Sequence, residues 1–216
     1  MSHYNPDVKA LYIHVPKTAG TSMEQMPWLR GTGGHIPAKK YMYMPWFEET
    51  FKFAFVRNPW DRFVSAYFHT AIPTGETIVD QPHTKAGFAH FVRSLDIEKL
   101  TNEKMIEHIW QTYPSIHPWP LHHHFLPQWF FTHDAADGVT QYRSCLVDFV
   151  GRYEDLALDW KRVVGSLGMG ITELGHSRTA PPYKKHYTHY YTPELWDIVG
   201  KIYRADCAHF GYWNVL

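Results

Sequence analysis

Two short, almost unbroken apolar runs, "ALYIHV" at 10–15 and "FKFAFV" at 51–56, dominate the first quarter of the chain. Runs of this length without alternation predict strands buried on both faces of a parallel sheet. Each is followed by a turn and then by helical spacing, which gives βα order. "CLVDFV" at 145–150 predicts a third strand, and "YEDLALDWKRVVGSLG" at 153–168 predicts a helix ended by Gly168. Helical spacing also appears at 84–95 and 98–110. A last helix opens on Thr192 as N-cap and Pro193 at N1 and runs to Phe210. The order strand, helix, strand, helix, insertion, strand, helix predicts a single α/β domain over residues 1–216. Its expected form is a three-layer, P-loop-like parallel sheet flanked by helices. In such sheets ligands gather at the C-terminal ends of the strands.

The chemistry therefore belongs in the two loops that leave the first strands. "PKTAGTS", residues 16–22, breaks the first strand at a proline and offers a lysine, a glycine and hydroxyls before a helix start. Backbone N–H groups at such a junction point outward and receive anions, so the loop reads as a phosphate-type site. The second strand ends in "FVRNPWDRFVSAYFHT", residues 55–70. Asn58 is an N-cap and Pro59 sits at N1, which leaves Arg57 at the strand end. Trp60, Phe63, Val64, Tyr67 and Phe68 follow i, i+3, i+4 spacing and form the buried stripe, while Asp61, Ser65 and His69 share another face. The plain reading pairs Arg57 with a carboxylate and leaves Ser65 in water. Beside the first loop, the pair instead points to a ligand with two anionic ends. A Walker A loop places its lysine after the last glycine, and here the lysine comes first. Phosphoryl transfer would also need an acidic metal ligand at a strand end, for which only Asp148, read as mid-strand, is available.

Composition narrows the partners. Lys+Arg and Asp+Glu both number 21, so net charge gives no sign of nucleic acid or a membrane surface, and any anion site is local. No apolar run approaches the roughly 18 residues of a membrane span. With Met1 as the native start, the expected location is cytoplasmic. Cys145 and Cys207 fit no ligand or redox spacing and read as separate buried thiols, with a disulfide as the alternative.

"HVPKTAGTS" followed by "FAFVRNPWDRFVSAYF" resembles the two donor-binding motifs of the sulfotransferases that use 3′-phosphoadenosine 5′-phosphosulfate. The closer likeness is to the branch containing the Golgi-type carbohydrate sulfotransferases. "VDFVGRYEDL" and "YYTPELWDIVGKIYRADCAHFGY" also look like that branch, so the resemblance spans most of the chain. It implies that Lys17, Thr18, Ala19, Gly20, Thr21 and Ser22 hold the 5′-phosphosulfate. Lys17 would stabilise charge on the oxygen between sulfur and phosphorus, and Arg57 and Ser65 would hold the 3′-phosphate. The implied acceptor is a hydroxyl on a glycan or small molecule; the lack of a Walker spacing and of a convincing acidic metal ligand adds the expectation that transfer needs no metal.

In-line transfer also needs a base for the acceptor hydroxyl. "RGTGGHIP" places His35 after a glycine-rich turn, which by composition is an ordinary loop histidine among 16. "GGHIP" also resembles the G-H-V segment of the heparan sulfate 2-O-sulfotransferases, where a histidine is the proposed general base. His14 is the second candidate, its plainer reading being a packed strand histidine. The stretch "HPWPLHHHFLPQWFFTH" at 117–133 admits three readings: a zinc site, an acceptor wall of Trp119, Trp129 and histidines, or core aromatics with a loop. In "GHSRTAPPYKKHYT", Ser177 and Arg178 would close over the donor as a similar loop does in related enzymes. Two competing functions remain, a nucleotide kinase and a non-catalytic module that binds a nucleotide or sulfated ligand.

Overall fold

The computed structural model describes residues 3–29, 34–70, 84–112, 123–134, 144–170, 173–174 and 185–212. The protein is α/β, with a four-stranded, mostly parallel sheet flanked by helices. The strands are β1 (Tyr4–Asn5), β2 (Ala10–Ile13), β3 (Phe51–Val56) and β4 (Phe149–Arg152), in that spatial order. The helices are α1 (Gly20–Met23), α2 (Pro59–Thr70), α3 (Lys85–Arg93), α4 (Ile97–Thr101), α5 (Glu103–Thr112), α6 (Trp129–Thr132), α7 (Leu156–Ser166), α8 (Pro193–Ile202) and α9 (Arg204–Phe210). No helix among the described residues is long and apolar enough to cross a membrane. The chain forms two compact units, Met1–Arg57 with Gln128–Thr179, and Asn58–Pro127 with Ala180–Leu216.

The first unit holds the sheet. β2 pairs parallel with β3, Tyr12 opposite Phe53, and β3 pairs parallel with β4, Phe55 opposite Gly151. β1 pairs antiparallel with β2, an edge strand too short for periodicity to reveal. Alternation sends Ala10, Tyr12, Phe53 and Phe55 to one face. There they pack with Met23 and Met26 behind α1 and with Trp160, Val163 and Val164 of α7. Burying each large apolar side chain contributes about 1.5–3 kcal/mol, so this face anchors the loops at the strand ends.

The third strand is displaced from the predicted 145–150. Leu146 donates its N–H to the Thr132 carbonyl and Cys145 bridges antiparallel to His133, so the first half of the apolar run is engaged elsewhere. Asp148 is not in mid-strand. Its Oδ2 accepts the Lys52 backbone N–H at 2.7 Å and lies 3.0 Å from Lys52 Nζ, at the N-terminal end of the paired segment. Asp159 then ties β4 to α7 by accepting the Arg152 N–H at 2.7 Å, and α7 ends at Gly168 with φ +64°. Cys145 is exposed rather than buried; Cys207 is buried, and both are free thiols.

The second unit is helical. Asn58 Oδ1 caps α2 by accepting the Trp60 N–H at 3.0 Å, as its position predicts. The stripe Trp60, Phe63, Val64, Tyr67, Phe68 is buried. Phe63 meets Phe88, Phe91, Phe125 and Tyr203, and Trp60 stacks on Trp196 with ring centroids 4.4 Å apart. The buried Arg62 guanidinium donates to the carbonyls of His124 and Leu126. The predicted last helix is two, α8 and α9, joined at Tyr203, whose hydroxyl donates to Phe125 O at 2.7 Å. Thr192 caps α8 as expected.

Candidate active site

After β2 the chain leaves the sheet at His14 and Val15 and turns through Pro16–Ala19. Lys17 at φ +67° and Ala19 at φ +76° both occupy the left-handed region. That conformation costs an L-residue about 1–2 kcal/mol, and non-glycine residues held there mark sites where geometry is imposed. Thr18 pins the turn: it is fully buried and its Oγ1 donates to the Val15 carbonyl at 2.8 Å. Its hydroxyl is thus committed to the loop, while Thr21 is exposed and Ser22 half-buried. Ala19 serves as N-cap of α1 without a side-chain cap bond. The N–H groups of Gly20 and Thr21, first in the helix, meet no acceptor among the described residues. α1 is a single turn rather than a full helix, closed by Ser22 and Met23 donating to Ala19 O and by Glu24 donating to Gly20 O. Gly20 is required by contact: a Cβ there would overlap the imidazole of His14.

Arg57, at the end of β3, belongs to the same place. Its backbone is clamped by Gln128, whose Oε1 accepts the Arg57 N–H at 2.8 Å while Nε2 donates to the Arg57 carbonyl at 2.9 Å. Its guanidinium lies over the Tyr153 ring, 4.0 Å from the centroid, and Nη1 donates to the Lys17 carbonyl at 3.3 Å. The two loops are therefore joined at the ends of adjacent strands. In this contact the Arg57 partner is a backbone carbonyl. Gln128 and Tyr153 were not singled out from sequence. Tyr153 lies inside the quoted segment "VDFVGRYEDL", but nothing local marks it as the arginine's platform.

His35 sits beside this loop. Its Nδ1 lies 3.0 Å from the His14 carbonyl oxygen, and the two imidazoles meet edge to face with centroids 4.3 Å apart. A carbonyl only accepts, so Nδ1 carries the proton and Nε2 presents a lone pair. Burial lowers the His35 pKa to about 3, with His14 and Lys17 adding to the effect, so the ring is neutral. His14 is half-buried at the strand end, its Nδ1 3.4 Å from Glu24 Oε1.

Among the remaining sequence candidates, Ser65 is half-buried on α2, in the second unit. Ser177, Arg178 and Trp119 lie outside the described residues. Trp129 is buried in α6, while His123 and His124 are buried in a short turn of 3₁₀ helix. Asp148, engaged by Lys52 at the opposite end of the strands, offers no metal ligand to the loop.

Comparison of the chain with curated proteins and with solved structures finds no match. The sequence model of the sulfotransferase family matches residues 2–213, nearly the whole chain. The loop that follows β2, the arginine that ends β3 and the helices beyond them all fall within that match, and the chain belongs to the sulfotransferase family.

Proposed function

We propose that the protein transfers a sulfuryl group from 3′-phosphoadenosine 5′-phosphosulfate to an acceptor hydroxyl, on a carbohydrate as in the branch its motifs resemble. The observation that carries this reading is the Arg57 to Lys17 contact, which brings the cationic end of β3 onto the loop after β2. The N–H groups of Gly20 and Thr21, the Thr21 hydroxyl and the Lys17 ammonium suit a phosphosulfate, and the loop acts as a P-loop-like cradle with its lysine placed first. Arg57 supplies a planar donor set for the 3′-phosphate. Ser65, Ser177 and Arg178 join the donor site on the motif resemblance alone.

Each chain residue then has a defined task. Lys17 stabilises negative charge on the oxygen that leaves sulfur as its S–O bond breaks. His35 Nε2 takes the proton of the acceptor hydroxyl as the new S–O bond forms. The hydroxyl becomes acidic only as that bond develops, so a neutral imidazole of low basicity, held in place by His14, is sufficient. Positive charge comes from Lys17 and Arg57, and the step needs no metal ion.

The test is incubation of the full chain with donor labelled in its sulfate, against a panel of glycans and small alcohols. Label in an acceptor supports the reading. Donor binding without transfer to any acceptor would favour a non-catalytic module, and transfer of phosphate from ATP would favour a kinase.

A further inference from the structure

His3, just before β1, lies beside Tyr12 because β1 runs antiparallel to β2, and the Tyr12 N–H donates to the His3 carbonyl at 3.2 Å. His14 follows β2, and Glu24 is the C-cap of α1. These three residues, 11 and 10 positions apart in a stretch with no metal-ligand motif, converge at the end of the sheet that carries the loop. One ligand atom from each lies within 4.8 Å of the other two. His14 Nδ1 is 3.4 Å and His3 Nε2 is 3.7 Å from the same carboxylate oxygen, Glu24 Oε1.

These are not hydrogen bonds. Both ring nitrogens of His3 and Nδ1 of His14 are buried without a hydrogen-bond partner, and His3 is only 4% exposed. In a tetrahedral site with metal–ligand bonds of about 2.0–2.2 Å, neighbouring ligand atoms are about 3.3–3.6 Å apart. The two spacings to Glu24 Oε1, 3.4 and 3.7 Å, lie close to that edge, and the third is within 4.8 Å. Two imidazoles and a carboxylate form a ligand set for first-row divalent ions, and Glu24 is exposed enough to give an ion a way in. An ordinary ion pair would account for His14 and Glu24 but would leave the buried His3 with neither ring nitrogen hydrogen-bonded.

We propose that His3, His14 and Glu24 bind a divalent transition-metal ion, zinc by ligand type, with a further position left for water. The ion would tie the segment before β1 to the turn that closes the Lys17 loop, since the His14 ring fills the space beside Gly20. This site is separate from the transfer step and does not rest on the transferase reading.

The test uses the full chain, freed of metal by chelation and dialysed, and titrated with Zn²⁺ by calorimetry and with Co²⁺ by visible absorption. The chain has 16 histidines, so the decisive comparison is with Glu24→Gln and His3→Gln rather than bare stoichiometry. One tight equivalent is expected, with Co²⁺ bands of four-coordinate intensity. Each variant should weaken it by more than about a hundredfold, beyond the loss from removing a supporting partner. Should His3→Gln fail to fold, Glu24→Gln, altered at a partly exposed position, decides alone. No tight equivalent in the wild type, or equal affinity in Glu24→Gln, would overturn the proposal.

Discussion

His35 donates from Nδ1 to the carbonyl oxygen of His14, 3.0 Å away and 21 residues earlier in the chain. This one bond sets the tautomer and leaves Nε2 as the basic atom beside the Lys17 loop. His35→Ala should leave donor affinity nearly intact and reduce turnover by about 10²–10⁴-fold, the usual range for a positioned base. Steady-state kinetics with donor binding measured separately checks it. Retention of more than about a tenth of wild-type turnover would remove His35 from the mechanism.

Gly20 is held against the His14 imidazole with no room for a Cβ. Gly20→Ala must push either the ring or the loop aside, and overpacking of this kind costs about 1–3 kcal/mol. Urea unfolding should show that loss together with weaker donor binding. An unchanged midpoint would mean that the His14 ring moves freely.

The depressed pKa of His35 makes stability depend on pH in a defined direction. The folded protein keeps the ring neutral down to about pH 3, whereas an unfolded histidine gains its proton near 6.5. Between those values the unfolded state binds more protons, so stability is fully present above about pH 6.5 and falls as pH falls. His3, also lowered by burial, acts in the same sense. In chelator-treated protein, unfolding free energy should drop from pH 7.5 to pH 5, and His35→Ala should flatten that slope. The same slope in wild type and variant would contradict the assignment.

Much of this arrangement could be read from the residues. β3 coincides with "FKFAFV" because both faces of that strand are buried, and Asn58-Pro59 starts α2 where cap chemistry requires. The third strand slipped because periodicity cannot tell which part of "CLVDFV" pairs with the sheet: Leu146 bonds to Thr132, and Asp148 is held by Lys52. The loop's lysine and glycine suggested an anion site from the residues alone, but the contact that requires the glycine, with the His14 ring, was not legible there. Gln128, Tyr153, His3 and Glu24 reach their partners only through the fold, and no local pattern announces such contacts.

Lys17 separates stability from chemistry. Relief of its left-handed backbone by Lys17→Gly offers about 1–2 kcal/mol, offset by about 0.5–1 kcal/mol of added chain entropy in the unfolded state. The variant should therefore fold at least as stably as the wild type. Turnover should nevertheless fall far more than donor affinity, since the backbone N–H groups remain while the transition-state charge loses its partner. Weaker donor binding with unchanged turnover would make Lys17 an anchor only.

The central claim is that the loop after β2 and the arginine after β3 together hold a nucleotide with anions at both its 5′ and 3′ positions. Calorimetry with 3′-phosphoadenosine 5′-phosphate and with AMP, on wild type and Arg57→Ala, tests it most directly. A charge-assisted arginine–phosphate contact is worth about 1.5–3 kcal/mol, so the wild type should prefer the bisphosphate by roughly ten- to a hundredfold. Comparing two ligands on one protein cancels whatever Arg57→Ala does to Lys17 and Tyr153, and in that variant the preference should vanish. Equal affinity of the wild type for both nucleotides would contradict the account.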